Sequence, residues 1–95
     1  MYEWDARKAA ANANKHGVTF EEAATVFDDM EGLDGPDLPH SEGEPRFHRL
    51  GRAATGRLLL VAYTRRRLDD VENIRIITAR QPSRKERASY TARGD

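Results

Sequence analysis

"GRLLLVAYTRRRLDDVENIRIITAR", residues 56–80, is the stretch on which the fold turns. From Leu58 to Tyr63 it is apolar at consecutive positions, in a run too short for a bilayer-spanning helix and rich enough in branched residues for a strand. A strand apolar on both faces belongs in the middle of a sheet, so "RLLLVAYTR" (57–65) is expected at its centre. "RRLDDVE" then reads as a turn and "NIRIITAR" (73–80) as the next strand, adjacent and antiparallel. Upstream, "RFHRLGRA" (46–53) reads as a strand joined to the central one through "TG" at 55–56. Alternation puts Ile74, Ile76, Thr78 and Arg80 on one face and Arg75, Ile77 and Ala79 on the other. Arg75 and Arg80 can therefore share a face only if a bulge intervenes or Arg80 reaches around the strand end.

Helices flank these strands. Asp5 suits an N-cap for "ARKAAANANK", with Trp4 placed to staple onto Ala9, and "HG" at 16–17 supplies a C-terminal cation and a left-handed stop. Thr19 and Glu22 have capping-box spacing before "FEEAATVF", whose Phe20, Ala23, Ala24 and Phe27 fall on one face. Residues 28–43 are rich in Asp, Gly and Pro, which implies a loop with at most a short edge strand near Leu33. A second capping box, Ser83 and Glu86, starts a final helix expected to run to about Tyr90 before the tail "TARGD" frays. Two helices, then a meander of three or four antiparallel strands, then a terminal helix indicate a two-layer α+β fold.

The chain has 95 residues, room for one domain and no more. It lacks cysteine, which removes disulfides, thiolate metal sites and thiol nucleophiles together. No apolar run spans a membrane and "MYEWDARK" has no secretory character, so a soluble cytoplasmic protein is expected, with no membrane partner. The formal net charge of zero conceals two opposed halves: residues 1–45 hold three basic against eleven acidic side chains, and residues 46–95 hold thirteen against five. The basic half points to a polyanionic or acidic partner, unless the halves neutralise each other within the fold. Its cations are arginines except Lys85, and guanidinium forks onto phosphate or carboxylate where ammonium acts as a point charge.

The ordered motifs "EWDARK", "NKHGVTFEEAATVF", "DLPHSEGEPRF", "GRLLLVAYT" and "IRIITARQPSRKERASY" extend from Glu3 to Tyr90, and their succession resembles the BrnT family, the ribonuclease toxins of BrnT–BrnA toxin–antitoxin pairs. The resemblance implies a RelE-like fold, with residues 1–95 as a single toxin domain. It further implies a cytoplasmic bacterial setting and a metal-independent endoribonuclease without cofactor. It also implies neutralisation by a BrnA-like antitoxin whose ribbon-helix-helix domain represses the operon, with operator DNA reached only through that antitoxin and a toxin dimer set within a heterotetramer. Two features depart from the family pattern: Gln81-Pro82, where a basic or small pair is usual, and a longer turn from Arg65 to Val71.

Metal-free cleavage of RNA by its own 2′-hydroxyl needs a base for that hydroxyl, cations for the phosphate and an acid for the 5′-oxygen. Arg80 closes a strand, Arg84 opens the last helix, and Arg87 lies one turn from both Arg84 and Tyr90. These four form a cationic corner with a phenol attached, beside the backbone donors of a helix N-terminus. Lys85, Arg75, Arg46 and Lys15 are the further candidates for holding RNA. For the base, His16 sits in the "KHG" terminator with Lys15, and His40 lies in "HSEGE"; His48, with the parity of Arg46 and Leu50, reads as structural or surface. Asp34, Asp37, His40, Glu42 and Glu44 are chemically acceptable ligands for a hard metal, but the Gly and Pro residues between them provide no fixed spacing, so no metal site is assigned. Trp4, Phe20, Phe27 and Leu58–Val61 read as core, while Phe47 and Tyr63 are open between core packing and base stacking. Two non-enzymatic alternatives stand beside this reading: a catalytically inactive module that serves as antitoxin ligand or co-repressor, and a nucleic-acid binder that does not cut.

Overall fold

A strand apolar at consecutive positions must be covered on both sides, and that requirement organises the molecule. The computed structural model describes residues 1–40 and 43–92. The chain runs β1 (Tyr2–Glu3), α1 (Ala6–His16), α2 (Phe20–Ala24), a 3-10 turn (Thr25–Asp28), β2 (Leu33–Pro36), a second 3-10 turn (Leu38–His40), β3 (Arg46–Arg52), β4 (Leu58–Leu68), β5 (Val71–Arg80) and α3 (Arg84–Ala92). The strands form one sheet in the order β1-β5-β4-β3-β2, with β4 central as expected. On one face Leu59, Val61, Ile76 and Ala79 pack with Val18, Phe20, Ala23 and Val26 from the N-terminal helices. On the other, Leu58 and Leu50 pack with Tyr90 of α3, flanked by Leu33 and Leu60. The α+β class holds, but the expected two layers become a sheet covered on both faces, because Leu58 and Leu60 alternate with Leu59 and Val61. Each side chain of that size, fully buried, contributes about 1.5–3 kcal/mol.

The expected three or four antiparallel strands are corrected to five in a mixed sheet. The extra strand, β1, is two residues long and lies parallel to β5, pairing Tyr2 with Ile74 and Glu3 with Arg75. Two residues carry no periodicity that a sequence reading can detect. The long turn expected from Arg65 to Val71 is also corrected: β4 and β5 continue as a two-stranded ribbon, Arg65 opposite Ile74 through Leu68 opposite Val71. Only Asp69 and Asp70 turn, both left-handed at φ 50° and 63°. That is the two-residue hairpin geometry whose twist matches the strands, and aspartate tolerates it better than most residues. The charged "RRR" run is the exposed wall of this ribbon rather than a loop.

Local signals at the helix ends are realised. Asp5 accepts from the N–H groups of Arg7 and Lys8 at 2.8 and 3.1 Å, and Gly17 closes α1 at φ 68°. Ser83 and Glu86 form the complete reciprocal box: Glu86 Oε1 accepts from the Ser83 N–H at 2.8 Å and Ser83 Oγ from the Glu86 N–H at 3.2 Å. Thr19 caps α2 through the Glu22 N–H at 3.1 Å, but the Glu22 carboxylate does not return to the cap. It is taken by the Arg57 guanidinium, a charge-assisted fork stronger than a backbone donor. The last helix extends to Ala92, two residues past the expected end, and the remainder of "TARGD" lies outside the described residues, as do Ser41 and Glu42.

Beyond Glu3, β1 no longer covers the outer edge of β5, and the amide of Asn12 in α1 takes its place. Asn12 Oδ1 accepts from the Ala79 N–H at 3.0 Å, and its Nδ2 donates to the Ala79 carbonyl at 2.8 Å and to the Val18 carbonyl at 3.0 Å. Asn12 is buried, so its removal orphans groups that water cannot reach. Asn12→Ala is expected to lose about 2–3 kcal/mol, seen as a lower urea midpoint at unchanged slope. An unchanged midpoint would show that the edge does not need this partner.

Candidate active site

The sheet face opposite the N-terminal helices is only partly covered by α3, and the uncovered part is a cleft of about 280 Å³ lined by Asp37, His40, Arg46, His48, Thr78 and Arg80 over a floor of Leu60 and Ala62. Strand parity explains the lining. Arg46 and His48 alternate with Phe47 on β3, and Leu60 and Ala62 alternate with Val61 on β4. On β5 the register slips: Ala62 faces Thr78 but Tyr63 faces Ile76, which leaves Ile77 as an extra residue. This bulge lets Ile76 and Ala79 both enter the core while Thr78 and Arg80 open onto the cleft. It also returns Arg75 to the parity of Arg80. Arg75 nevertheless lies beside Glu3 at 3.8 Å and is not part of the lining.

Arg80 is held rigidly. Its two terminal nitrogens donate to the two Glu86 oxygens at 2.8 and 3.0 Å, and one also donates to the Gln81 carbonyl at 3.2 Å. The guanidinium beside Glu86 holds that carboxyl at about 2, with the Ser83 N–H assisting and burial opposing. Glu86 in turn raises Arg80 above its ordinary value, burial again opposing. The capping box of α3 thus also fixes the cleft arginine. Across the cleft, His40 Nδ1 lies 2.9 Å from Asp37 Oδ1, and the other Asp37 oxygen is 3.4 Å from Arg46 Nε. The imidazole is 63% exposed and Asp37 only 15%, so a half-hidden carboxylate orients a ring that solvent or substrate can reach.

Among the residues that the sequence nominates, the structure brings Arg80, Arg46 and His40 together and adds His48, Asp37 and Thr78. His48, expected as a structural or surface residue, lines the cleft, and its parity with Arg46 is the signal that places it there. His16 and Lys15 line a neighbouring groove instead. Arg84, Lys85 and Arg87 are set on α3 and enter no ion pair among the described residues. Tyr90 stands apart from the cleft. It is buried beneath α3 and donates to Asp29 Oδ2 at 2.7 Å, with Arg52 over its ring. Tyr63 is core, 1% exposed, its hydroxyl bonded to Asp34 and its phenol pushed up to about 12 by burial and that carboxylate. Phe47 packs against Tyr63 at 5.8 Å. The acids of the central loop are dispersed: Asp34 meets Arg49, Asp37 meets His40 and Arg46, and Glu44 meets Arg66. Among the described residues no three carboxylate or imidazole groups are gathered as a metal site.

An arginine–histidine cleft on the open face of a small α+β sheet can hold a phosphodiester and move protons beside it, and the fold itself is found among ribonuclease toxins. A crystal structure of the Brucella abortus ribonuclease toxin BrnT superposes with a TM-score of 0.63 at 20% identity, over 88% of this chain and 99% of that one. No curated protein matches the chain in sequence. Residues 4–86 match the family described as ribonuclease toxin, BrnT, of type II toxin–antitoxin system, and the chain belongs to that family. Membership implies RNA as target and an antitoxin as partner. No helix among the described residues is long and apolar enough to cross a membrane.

The Arg80–Glu86 pair gives a signed acid response. Because the folded carboxyl is held below its unfolded value, the pair stabilises fully above about pH 4.5 and its contribution disappears as pH falls toward 2. Both side chains are about a third or more exposed, so the effect is a solvent-screened fraction of the full linkage. Glu86→Gln is expected to lower the melting temperature at pH 6–7, with the gap to wild type closing as the buffer is taken from about pH 5 to about pH 2. A gap independent of pH would remove the ion pair as its cause.

Proposed function

We propose that the chain is a metal-independent endoribonuclease, acting as the toxin of a bacterial cytoplasmic type II pair, and that residues 1–95 form a single toxin domain. One observation carries this reading: Arg80, Arg46 and an Asp37-oriented His40 converge on one cleft. The scissile phosphate sits between the two guanidinium groups, which stabilise the charge that gathers on its free oxygens. His40, donating Nδ1–H to Asp37, presents Nε2 to the 2′-hydroxyl and accepts its proton as that oxygen attacks phosphorus. The bond to the 5′-oxygen breaks, and protonated His48 delivers a proton to the leaving oxygen. A cyclic phosphate and a 5′-hydroxyl result, with charge and atoms balanced without a metal. Thr78 supplies a neutral donor, and Arg84, Lys85 and Arg87 on α3 attract the strand beyond the cleft.

In this reading the partner is a BrnA-like ribbon-helix-helix antitoxin, which binds operator DNA while the toxin does not, in a heterotetramer built on a toxin dimer. Family membership supports the antitoxin, and the folding of acidic side chains onto arginines, as Asp34 onto Arg49 and Glu22 onto Arg57, keeps the surface from being cationic throughout.

With purified protein, structured RNA and excess EDTA, wild type is expected to cut. Arg80→Ala should slow cleavage by about 10²–10³-fold, and His40→Ala by at least about 10²-fold. Asp37→Asn, which misorients the base, should lower kcat with little change in KM. Undiminished cleavage by Arg80→Ala removes its role. Unimpeded growth when wild-type toxin is expressed without its antitoxin supports the inactive binding module instead.

A further inference from the structure

A second cavity, about 330 Å³, shares two walls with the cleft. Arg46 and Thr78 line both. The remaining wall that bears chemistry comes from α1: Lys8, Lys15 and His16, facing Ile77 of the β5 bulge. Three facts distinguish it from an ordinary solvated helix face. First, several arginines in the chain are committed to carboxylates, as Arg49 to Asp34, Arg57 to Glu22 and Arg80 to Glu86, whereas no ion pair engages Lys8 or Lys15 among the described residues. Second, Lys8 and Lys15 are two helical turns apart on one face, about 10 Å along the axis at 1.5 Å per residue, farther than one phosphate group extends. Third, the bulge pushes Ile77 out of the core register, so a half-buried apolar side chain enters the lining beside the two lysines.

We propose that this groove is a subsite for the RNA strand flanking the scissile phosphate: successive backbone phosphates meet Lys8 and Lys15, a base lies on Ile77, and the strand passes over Thr78 into the cleft. The inference rests on the nuclease reading above and adds the path the substrate takes. Continuity with the cleft favours RNA over an acidic protein segment, since the groove has the same two walls as the site of reaction. Lysine fits such a subsite, because a mobile flanking strand is held there through charge, without the fixed geometry that a guanidinium imposes. His16 lines the same wall and adds a third polar group.

The test uses Lys8→Gln/Lys15→Gln in the full chain; both positions are exposed and glutamine is a good helix residue, so the melting temperature should not move. Binding of a labelled 2′-O-methyl oligoribonucleotide, which cannot be cleaved, is followed by anisotropy across a salt series. The slope of log K against log salt should flatten by about 0.7 for each phosphate no longer neutralised, about 1.4 in the double variant. Cleavage of a long RNA should fall about tenfold in kcat/KM through KM, while a dinucleotide confined to the cleft is cut as by wild type. An unchanged slope, or equal losses on long and short substrates, overturns the subsite. So does normal RNA binding with weakened antitoxin binding, which would make the groove a protein interface. Absence of cleavage by wild type counts against the nuclease reading alone, because the anisotropy series still reports the groove.

Discussion

The amide of Asn12 is the constraint from which the working parts follow. It substitutes for a neighbouring strand at Ala79, satisfying both backbone groups there, and its third bond holds Val18 at the start of the helix-side core. α1 is thereby fixed against the very residues of β5 that follow the bulge. Thr78 and Arg80 on either side of Ala79 are aimed at the cleft because Ala79 is pinned inward. The lysine face of α1 lies beside the bulge for the same reason.

Part of the opposition of charge between the two halves is resolved in folding. Arg57 clamps Glu22 and the Gly17 carbonyl, uniting the end of α1 with α2. Arg49 reaches Val26 and Asp29 as well as Asp34, tying β3 to the first 3-10 turn, where Gly51 also permits close approach: a Cβ there would come within 3.2 Å of Val26. These are uses of a planar fork with several donors, and they account for the preference for arginine better than a polyanionic partner does. The cations left on α1 and α3 are fewer, and their position carries more information than the charge total.

Much of this is legible in the residues. Capping boxes, the left-handed glycine after α1 and the doubly apolar β4 are local signals, and each specifies its element; the family resemblance is equally readable from motif order. What escapes a sequence reading is non-local. β1 exists only because β5 offers an edge, and Asn12 in an alanine-rich helix looks like any polar residue until Ala79 is folded against it. The Asp37–His40 contact spans a Pro-containing turn whose shape no periodicity encodes. Tyr90 shows the reverse failure: one helical turn from Arg87, it looks like part of the cationic corner, but its apolar ring is drawn under α3 by Leu50 and Leu58.

The Ile77 bulge makes β5 unusual in what it can tolerate. Because Tyr63 faces Ile76 and Ala62 faces Thr78, Ile77 is the residue that the ladder does not count. Its loss would close the strand into a regular register with Ala79 still in the core and Thr78 and Arg80 still on the cleft side. The loss would fall on the neighbouring groove, whose wall would lack the apolar side chain beside Lys8 and Lys15. Chain length is therefore looser at this one point than elsewhere in β5, where a slip of one residue exchanges the two faces. Homologous strands should differ in length at the bulge while keeping the same cleft.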